Sequence, residues 1–341
     1  GLHLEGAGHE AVDHQSPGTP GLAAPRVQAE MSEIRIAYGL GVGFLPMYVM
    51  QDHKLVEKHA KADGLGDVTV DWVRLSGGTM MNDGLLSGSL QIASGGITPL
   101  IVAWSKTVET QNEIRGLGVI SSSPMLLVTR NSKIKSVRDL TAQDRIAMPA
   151  AKLAPQSVLL QMVAEKEFGL GKHGALDAFT VSMSHPDATA ALLSGNSQVN
   201  SHFSTPPYMY EEVADPAIRT ILNSNDVLGG PGAFVVMWTT KAFHDSNPRL
   251  YGAVTKALDE ALEMISDDKM AAARSYVRIF DSKQSAQRIR ELLDKPGLEF
   301  SRTPRGVMKY ADFMSKVGSI KVKPTSWKDI FFPNNHGLSG S

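Results

Sequence analysis

Hydrophobic positions along the chain alternate between two spacings, and the alternation predicts strands and helices in turn. Ile34, Ile36 and Tyr38 occupy every second position, which is typical of a strand. The glycine-rich stretch Gly39–Leu45 follows, and Pro46 then begins a segment whose apolar residues have helical spacing. The same order of strand, turn and helix recurs further along, which indicates an α/β fold with mostly parallel sheets.

One stretch of this pattern occurs twice. Leu85–Pro99 has the sequence LLSGSLQIASGGITP, and Leu192–Pro206 has the sequence LLSGNSQVNSHFSTP, so the two agree without a gap at Leu, Leu, Ser, Gly, Gln, Ser, Thr and Pro. In each copy we predict a helix that ends at glycine, a short strand, and a second helix with threonine as N-cap and proline as its first residue. The predicted positions are Gly88, Leu90–Ala93 and Thr98-Pro99 in the first copy and Gly195, Gln198–Asn200 and Thr205-Pro206 in the second.

A second pair of matching segments indicates two homologous lobes. Arg35-Ile36-Ala37 recurs as Arg145-Ile146-Ala147, and each copy is followed by a loop and a proline that begins an apolar helix. The offset between these segments is within a few residues of the offset between the longer repeats. Because the strand-end loops of two facing α/β lobes line one cleft, we expect the functional site in that cleft.

The chain is predicted to cross between the lobes twice, at Ser121–Pro124 and at Gly229–Gly232. The crossings divide it into a discontinuous first lobe (residues 31–122 and 231–333) and a second lobe (residues 123–230). The helical segments after residue 240 are assigned to the cover of the first lobe. Residues 1–30 lack a hydrophobic core pattern and are predicted to be a disordered leader or an added segment, and residues 334–341 a frayed tail.

Composition narrows the classes of function. The 341 residues carry a formal net charge of -1, which argues against a nucleic-acid footprint, and no apolar run reaches the ~20 residues that span a bilayer. The chain has no cysteine, which excludes disulfides, thiolate metal sites, cysteine nucleophiles and a lipidated cysteine. The histidines lack metal-site spacing, a G-x-S-x-G elbow is absent, and Gly39–Gly43 lacks the third glycine of a dinucleotide-binding loop.

Together with Leu75–Gly78 and the segment Asn131–Leu140 (NSKIKSVRDL), the order of these motifs resembles the type II periplasmic binding proteins of the nitrate/sulfonate/taurine group, which includes thiamine-pyrimidine-precursor proteins. The resemblance runs from about Ser32 to Val317. It implies two similar α/β lobes with mostly parallel sheets, joined by a two-strand hinge and closing on a small ligand. It further implies an extracytoplasmic solute receptor that is exported to the periplasm, works with an ABC permease, is a monomer, and has no enzyme activity, cofactor or metal.

Carried over by position, the resemblance implies that six loops of the cleft contact the ligand. Lys152 and His202 are the strongly basic groups in these loops, so either could pair with an anionic ligand group; a solvated lysine and a histidine bonded to its own backbone are the alternatives. Phe44 and Phe203 could stack on a planar ligand or pack in the core. The expected contacts are Gly41, Gly43, Phe44, Gly77, Gly78, Thr79, Ser94, Gly95, Gly96, Thr98, Lys152, Gln156, Ser201, His202, Thr205 and Gly232.

The segment Pro149–Leu153 departs from the pattern of the family. Members that bind small inorganic anions or sulfonates often have a polar glycine-serine loop here, whereas this segment is mostly apolar. We therefore expect a small organic anion or a polar heteroaromatic or aliphatic ligand (a sulfonate, carboxylate or pyrimidine) with an apolar body. The alternative is an enzyme of the thiamine pyrimidine-precursor type on the same fold, although the yeast-type synthase carries a cysteine-rich iron motif that this chain lacks.

Overall fold

A computed structural model describes residues 28–341, which contain ten strands and thirteen α-helices. The strands are β1 (Glu33–Tyr38), β2 (Thr69–Arg74), β3 (Ile92–Gly96), β4 (Ile114–Ser122), β5 (Leu126–Thr129), β6 (Ile146–Met148), β7 (Thr180–Ser182), β8 (Ser201–Ser204), β9 (Arg219–Asn223) and β10 (Ala233–Thr240). The helices are α1 (Leu45–Asp52), α2 (Leu55–Ala62), α3 (Gly78–Ser87), α4 (Ile97–Thr107), α5 (Pro155–Phe168), α6 (His185–Ser194), α7 (Tyr208–Val213), α8 (Ser224–Leu228), α9 (Lys241–Ser246), α10 (Pro248–Asp267), α11 (Lys269–Phe280), α12 (Ala286–Leu292) and α13 (Val307–Lys316).

The strands form two five-stranded sheets with the same topology. The first has the order β2-β1-β3-β10-β4, and the second has the order β7-β6-β8-β5-β9. In each sheet the first three strands are parallel, and the fourth runs antiparallel to both of its neighbours. The predicted α/β fold of two similar lobes is therefore confirmed, and each lobe contains one antiparallel strand that enters from the other lobe.

The sequence repeats occupy equivalent places in the two sheets. The Arg-Ile-Ala segments lie at β1 and β6, and the longer repeats run through β3 and β8. Gly88 and Gly195 end α3 and α6 in the left-handed conformation, with φ of 80° and 71°, as a glycine C-cap requires. The repeat therefore marks a structural equivalence between the lobes.

Both repeat strands begin later than predicted. The first begins at Ile92 instead of Leu90, and the second begins at Ser201 instead of Gln198. Both strands also extend beyond their predicted ends at Ala93 and Asn200, so Ser94–Gly96 and Ser201–Ser204 are strand residues held by ladder hydrogen bonds. This shift decides which of their side chains can reach the cleft.

The predicted threonine N-caps are wrong. Helix α4 begins at Ile97 after Gly96, so Thr98 lies inside its first turn. Helix α7 begins at Tyr208 after Pro207, so Thr205 lies before the start of that helix. Thr79, an expected ligand contact, lies inside α3, which begins at Gly78. Thr98 instead uses its hydroxyl for a contact with the second lobe, described below.

The chain passes from the first sheet to the second through residues 123–125 and returns through residues 229–232. The largest fully buried side chain is that of Trp238 on the returning strand β10, an interior strand of the first sheet. Among the helices of residues 28–341, none is both long and apolar enough to cross a membrane.

Both predicted disordered ends need correction where the structure describes them. Residues 1–27 of the predicted leader lie outside the described residues, but the Glu30 carboxylate is 6% exposed and accepts hydrogen bonds from Arg249 Nε (2.8 Å) and from the backbone N–H of Leu250 (3.0 Å). The predicted frayed tail is packed, because Asn335 is buried and the Ser341 hydroxyl accepts a bond from the Gly306 amide at 2.8 Å.

Helix α13 does not cover the first lobe alone. It packs against α4 of the first lobe and against α5 of the second. Lys316 at its end forms an ion pair with Glu165 of α5, and Phe313 meets the His173 ring edge-on at 6.4 Å. This helix, called the α13 strap below, joins the lobes in addition to the two chain crossings.

Candidate functional site

A cavity lies where the cleft edges of the two lobes meet. It is called the interlobe cavity below. The lining residues are Gly39, Leu40, Phe44, Leu75, Ser76, Gly77, Gly78, Met81, Ser94, Gly95, Gly96, Pro99, Phe234 and Val235 from the first lobe and Pro149, Ala150, Ala154, Pro155, Gln156, His185 and Thr205 from the second. The cavity therefore needs both lobes.

The lobes are closed on each other around this cavity. The Thr98 hydroxyl of the first lobe donates a hydrogen bond to the carbonyl of Leu153 in the second at 2.6 Å. A Cβ atom on Gly96 would lie only 2.5 Å from Cγ of Pro155, so this approach of the two lobes requires glycine. The structure thus represents the closed arrangement of a two-lobed protein.

Four helices begin at the interlobe cavity without a side-chain cap. Their N-cap residues are Phe44 for α1, Gly77 for α3, Gly96 for α4 and Ala154 for α5, and none of them makes a side-chain cap hydrogen bond. Amides of the first helical turn have no partner within the helix, and the helix N-terminus carries a partial positive charge. Helix α1 contributes least, because a 3-10 turn (Val42–Phe44) leads into it, the Leu45 amide bonds the Val42 carbonyl, and Pro46 has no N–H. The N-termini of α3, α4 and α5 therefore offer hydrogen-bond donors and a favourable field to an acceptor or an anion.

The side chains around the cavity are otherwise largely apolar. Leu40, Leu75, Met81, Phe234 and Val235 contribute to its walls, and no Asp, Glu, Lys or Arg is among its described lining residues. An anionic ligand group here would meet backbone amides and small hydroxyls instead of a cationic side chain. An apolar ligand body would cover the remaining surface.

His185 is the one titratable side chain among the lining residues described above. It begins a chain of hydrogen bonds that runs into the interior of the second lobe. Its Nδ1 atom lies 2.8 Å from Nε2 of His202, and Nδ1 of His202 hydrogen-bonds Oε1 of Glu212. Burial, and next the neighbouring His202, hold the pKa of His185 well below its usual range, so this ring is uncharged at neutral pH. The ring of Tyr208 stacks on His185 with centroids 5.7 Å apart.

Half of the predicted contact residues lie at this cavity. Those that line it are Phe44, Gly77, Gly78, Ser94, Gly95, Gly96, Gln156 and Thr205. Those that lie outside its lining are Gly41, Gly43, Thr79, Thr98, Lys152, Ser201, His202 and Gly232. As ligand contacts, all of them stay predictions.

The residues outside the lining have physical reasons for their positions. Ser201 and His202 are completely buried, because they belong to the central strand β8 instead of a loop. Phe203 is also a core residue, whereas Lys152 is exposed on the turn before α5. Gly232 lies at the return crossing, near Leu228.

Sequence reasoning missed the contribution of Phe234, Val235 and His185. The first two begin β10, which runs antiparallel to its neighbours, so its start lies at the edge where the parallel strands of the first sheet end. The return crossing at Gly229–Gly232 could have indicated this placement. His185 is the first residue of α6, and only the tertiary structure brings it to the buried His202.

Comparisons with known proteins agree with this architecture. The NMT1-like family matches residues 27–280 of the chain, and no curated protein sequence matches significantly. The alkanesulfonate-binding protein SsuA from Xanthomonas axonopodis pv. citri, bound to MOPS, has a TM-score of 0.66 and 16% identity over 92% of this chain and 100% of its own. The periplasmic aliphatic sulphonate binding protein SsuA from Escherichia coli has a TM-score of 0.64 and 19% identity over 91% and 100%.

The periplasmic nitrate-binding protein NrtA from Synechocystis PCC 6803 is similar to the same extent, with a TM-score of 0.64 and 13% identity over 91% of this chain and 86% of its own. At such low identity these structures show the shared fold. The family match, in contrast, covers most of the chain. The chain belongs to the NMT1-like family and has the two-lobed fold of the type II periplasmic binding proteins.

Proposed function

We propose that the chain is an extracytoplasmic solute receptor that binds a small organic anion or strongly polar ligand in the interlobe cavity and delivers it to an ABC permease. The observation that carries this proposal is the convergence of three uncapped helix N-termini, those of α3 and α4 from the first lobe and α5 from the second, on one apolar-walled cavity. Structural relatives whose names state sulfonate or nitrate binding support it.

The character of the ligand follows from the two kinds of surface. Backbone amides at the helix N-termini favour a carboxylate, sulfonate or amide oxygen. Leu40, Leu75 and Phe234 favour an aliphatic or aromatic body. Bare nitrate would leave that apolar surface uncovered, so an organic skeleton satisfies the site better.

Calorimetry with the purified chain tests this proposal against MOPS, alkanesulfonates, organic carboxylates, pyrimidines and inorganic anions. We expect an organic acceptor ligand to bind, and native mass spectrometry of freshly purified protein to retain it. Binding of a polyamine, with no binding of any acid or pyrimidine, would contradict the proposal.

Two side chains of one loop and helix serve as a matched pair in this assay. Gln156 is 3% exposed and lines the cavity, whereas Lys152 is exposed outside its lining. We expect Gln156→Ala to weaken binding roughly tenfold, because a buried hydrogen bond is worth about 1 kcal/mol or more. Lys152→Ala should change the affinity little.

A second candidate is an enzyme of the thiamine pyrimidine-precursor type on the same fold. The feature that favours it is His185, which reaches the cavity and is backed by His202 and Glu212, since histidine-carboxylate pairs often serve in proton transfer. Recovery of a bound compound unchanged after prolonged incubation supports the receptor. Its conversion in proportion to time and protein concentration would favour the enzyme.

A further inference from the structure

Three polar side chains connect the interlobe cavity with the interior of the second lobe. His185 lines the cavity and is 8% exposed, while His202 and Glu212 are completely buried. The His185–His202 hydrogen bond and the His202–Glu212 hydrogen bond join the three side chains one after another, and the three are called the histidine relay below. They lie on α6, β8 and α7 of one lobe, so the relay does not depend on closure of the lobes.

The Glu212 carboxylate, at the inner end of the relay, has few hydrogen-bond partners besides His202. Glu212 Oε1 also accepts a hydrogen bond from the Thr189 hydroxyl at 2.9 Å. Its Oε2 atom is buried and has no hydrogen-bond partner among residues 28–341. Within the same residues, His202 is the only basic side chain that pairs with Glu212.

The elements around the relay add no further buried charge. Strands β5 and β6, which flank β8, contain no titratable side chain. The other titratable residues on α6 and α7 are Asp187, Tyr208, Tyr210 and Glu211. Asp187 and Glu211 are exposed, and burial raises the pKa of both tyrosines, which therefore stay neutral.

The number of protons on the relay decides whether Nε2 of His185 is a hydrogen-bond acceptor or a hydrogen-bond donor toward the cavity. With two protons, both histidines carry hydrogen on Nδ1, the relay has a net charge of -1, and His185 Nε2 presents a lone pair. With a third proton, on His202 or on Glu212, the relay is neutral and Nε2 of His202 donates to Nδ1 of His185. Nε2 of His185 then carries the hydrogen.

Burial favours the neutral form of the relay. An uncompensated carboxylate in a protein interior is strongly unfavourable, and here no Lys or Arg of the described chain is placed to compensate Glu212. A third proton, taken from solvent, removes that charge without any rearrangement of the side chains. His185 itself remains an uncharged ring in this state.

We propose that the histidine relay holds this third proton, so that His185 donates an Nε2–H hydrogen bond into the interlobe cavity and selects ligands that place an acceptor oxygen there. The proposal rests on the proposed function of a solute receptor for its ligand. It names His185 as a specificity-determining residue and carboxylate or sulfonate oxygen as its partner. It also gives the apolar-walled cavity a side-chain donor alongside the helix amides.

Nitrogen-15 NMR of the histidine-labelled, ligand-free protein at pH 7 tests the protonation directly. We expect His185 to be protonated on Nε2 and bare on Nδ1, with its signals assigned from their loss in His185→Leu or His185→Gln. A His185 ring protonated on Nδ1 with a bare Nε2 would overturn the proposal. This measurement needs no ligand, so its outcome is independent of the receptor hypothesis.

Calorimetry with benzoate and benzamidine tests the selectivity, because the two compounds have similar shapes but opposite polar groups. Benzoate has only oxygen acceptors, and protonated benzamidine has only N–H donors. We expect benzoate to bind more tightly, and its advantage to fall roughly tenfold or more in His185→Leu, since one charge-assisted hydrogen bond is lost. Asp187→Asn on the exposed side of the same helix should keep the wild-type preference. An unchanged preference in His185→Leu would overturn the selectivity, and failure of every compound to bind would count against the receptor while the NMR result stands.

Discussion

The two repeat strands, β3 and β8, occupy the same place in their sheets but carry different chemistry. Alignment of the repeats places His202 opposite Gly95 and Phe203 opposite Gly96. In the first lobe the space beside Gly95 is filled from the neighbouring strand by Trp238, whose ring would lie 3.2 Å from an added Cβ. In the second lobe the imidazole of His202 occupies the equivalent position, and its hydrogen bond to His185 connects it with the cavity.

This difference separates two contributions to one site. The first lobe supplies shape, since glycines at the end of β3 let Trp238 and the Pro155 ring of the other lobe approach the backbone closely. The second lobe supplies the titratable groups, buried behind the cavity wall. A duplicated architecture can therefore keep its backbone while only one copy acquires a polar network.

The largest expected effect is on the stability of the second lobe. His202→Ala leaves Glu212 buried without its basic partner, and we expect a loss of about 3–5 kcal/mol in the free energy of unfolding. Gly95→Ala, at the equivalent position, crowds Trp238 and should cost about 1–3 kcal/mol. Denaturant unfolding compares the two variants, and equal losses would mean that the relay has no special role in stability.

The second effect is on closure of the lobes. Gly96→Ala would place a methyl group against Pro155 of the other lobe, so we expect about ten- to hundredfold weaker binding of any ligand that requires closure. Small-angle scattering should show a larger radius of gyration for this variant. Gly252→Ala in α10, where nothing lies near the added methyl, is the control and should instead add up to about 1 kcal/mol of stability. Unchanged scattering and affinity in Gly96→Ala would contradict the close approach.

A smaller effect distinguishes the two repeated threonines. Thr98→Val removes the interlobe bond to Leu153 and should destabilise the closed form by about 0.5–1.5 kcal/mol. Thr205 lines the cavity, so Thr205→Val should lower affinity without lowering stability. Thermal unfolding together with calorimetry separates these outcomes, and a loss of stability in Thr205→Val would contradict its assignment to the cavity.

The smallest effect concerns acid stability of the second lobe. Burial alone would raise the pKa of Asp144, but hydrogen bonds from the Thr141 amide (2.7 Å), Asn200 (2.8 Å) and Asn131 (3.0 Å) outweigh burial and lower it. A lowered carboxyl pKa stabilises the fold above the unfolded value of about 3.9, and this stabilisation is lost as the pH falls through the folded value.

The Asp144→Asn variant checks that sign. We expect its unfolding midpoint to be lower than that of the wild type at pH 7 and the difference to shrink toward pH 3. Denaturant titrations at the two pH values give the comparison. A difference that grows on acidification would show that the hydrogen bonds favour the protonated carboxyl.

The repeats made the fold predictable, because hydrophobic period, glycine C-caps and the position of prolines are all local properties of the sequence. Gly88 and Gly195 were correctly placed for that reason. The boundaries of β3 and β8 were not, since Gly95 and Gly96 lack the apolar side chains by which a strand is recognised. Pairing with β10, over a hundred residues away, makes them strand residues.

The site was predictable only in part for the same reason. Loops at the ends of parallel strands are recognisable, and Gly77, Ser94 and Gln156 were assigned from them. His185 and Phe234 depend on contacts between distant elements, which no local pattern encodes. Because β8 includes Ser201–Ser204 instead of ending at Asn200 as predicted, His202 lies in the core and not in a loop.

The α13 strap has a mechanical consequence for how the lobes can separate. Two chain crossings allow one body to swing and also to twist relative to the other. The strap begins beside the return crossing, where Lys309 donates a hydrogen bond to the Leu228 carbonyl, and it adds a third attachment that removes part of this freedom. Here the strap touches α4 and α5 and ends in the Lys316–Glu165 ion pair. With these contacts intact, the axis of opening runs close to α13, and the cavity widens most at the edge farthest from it.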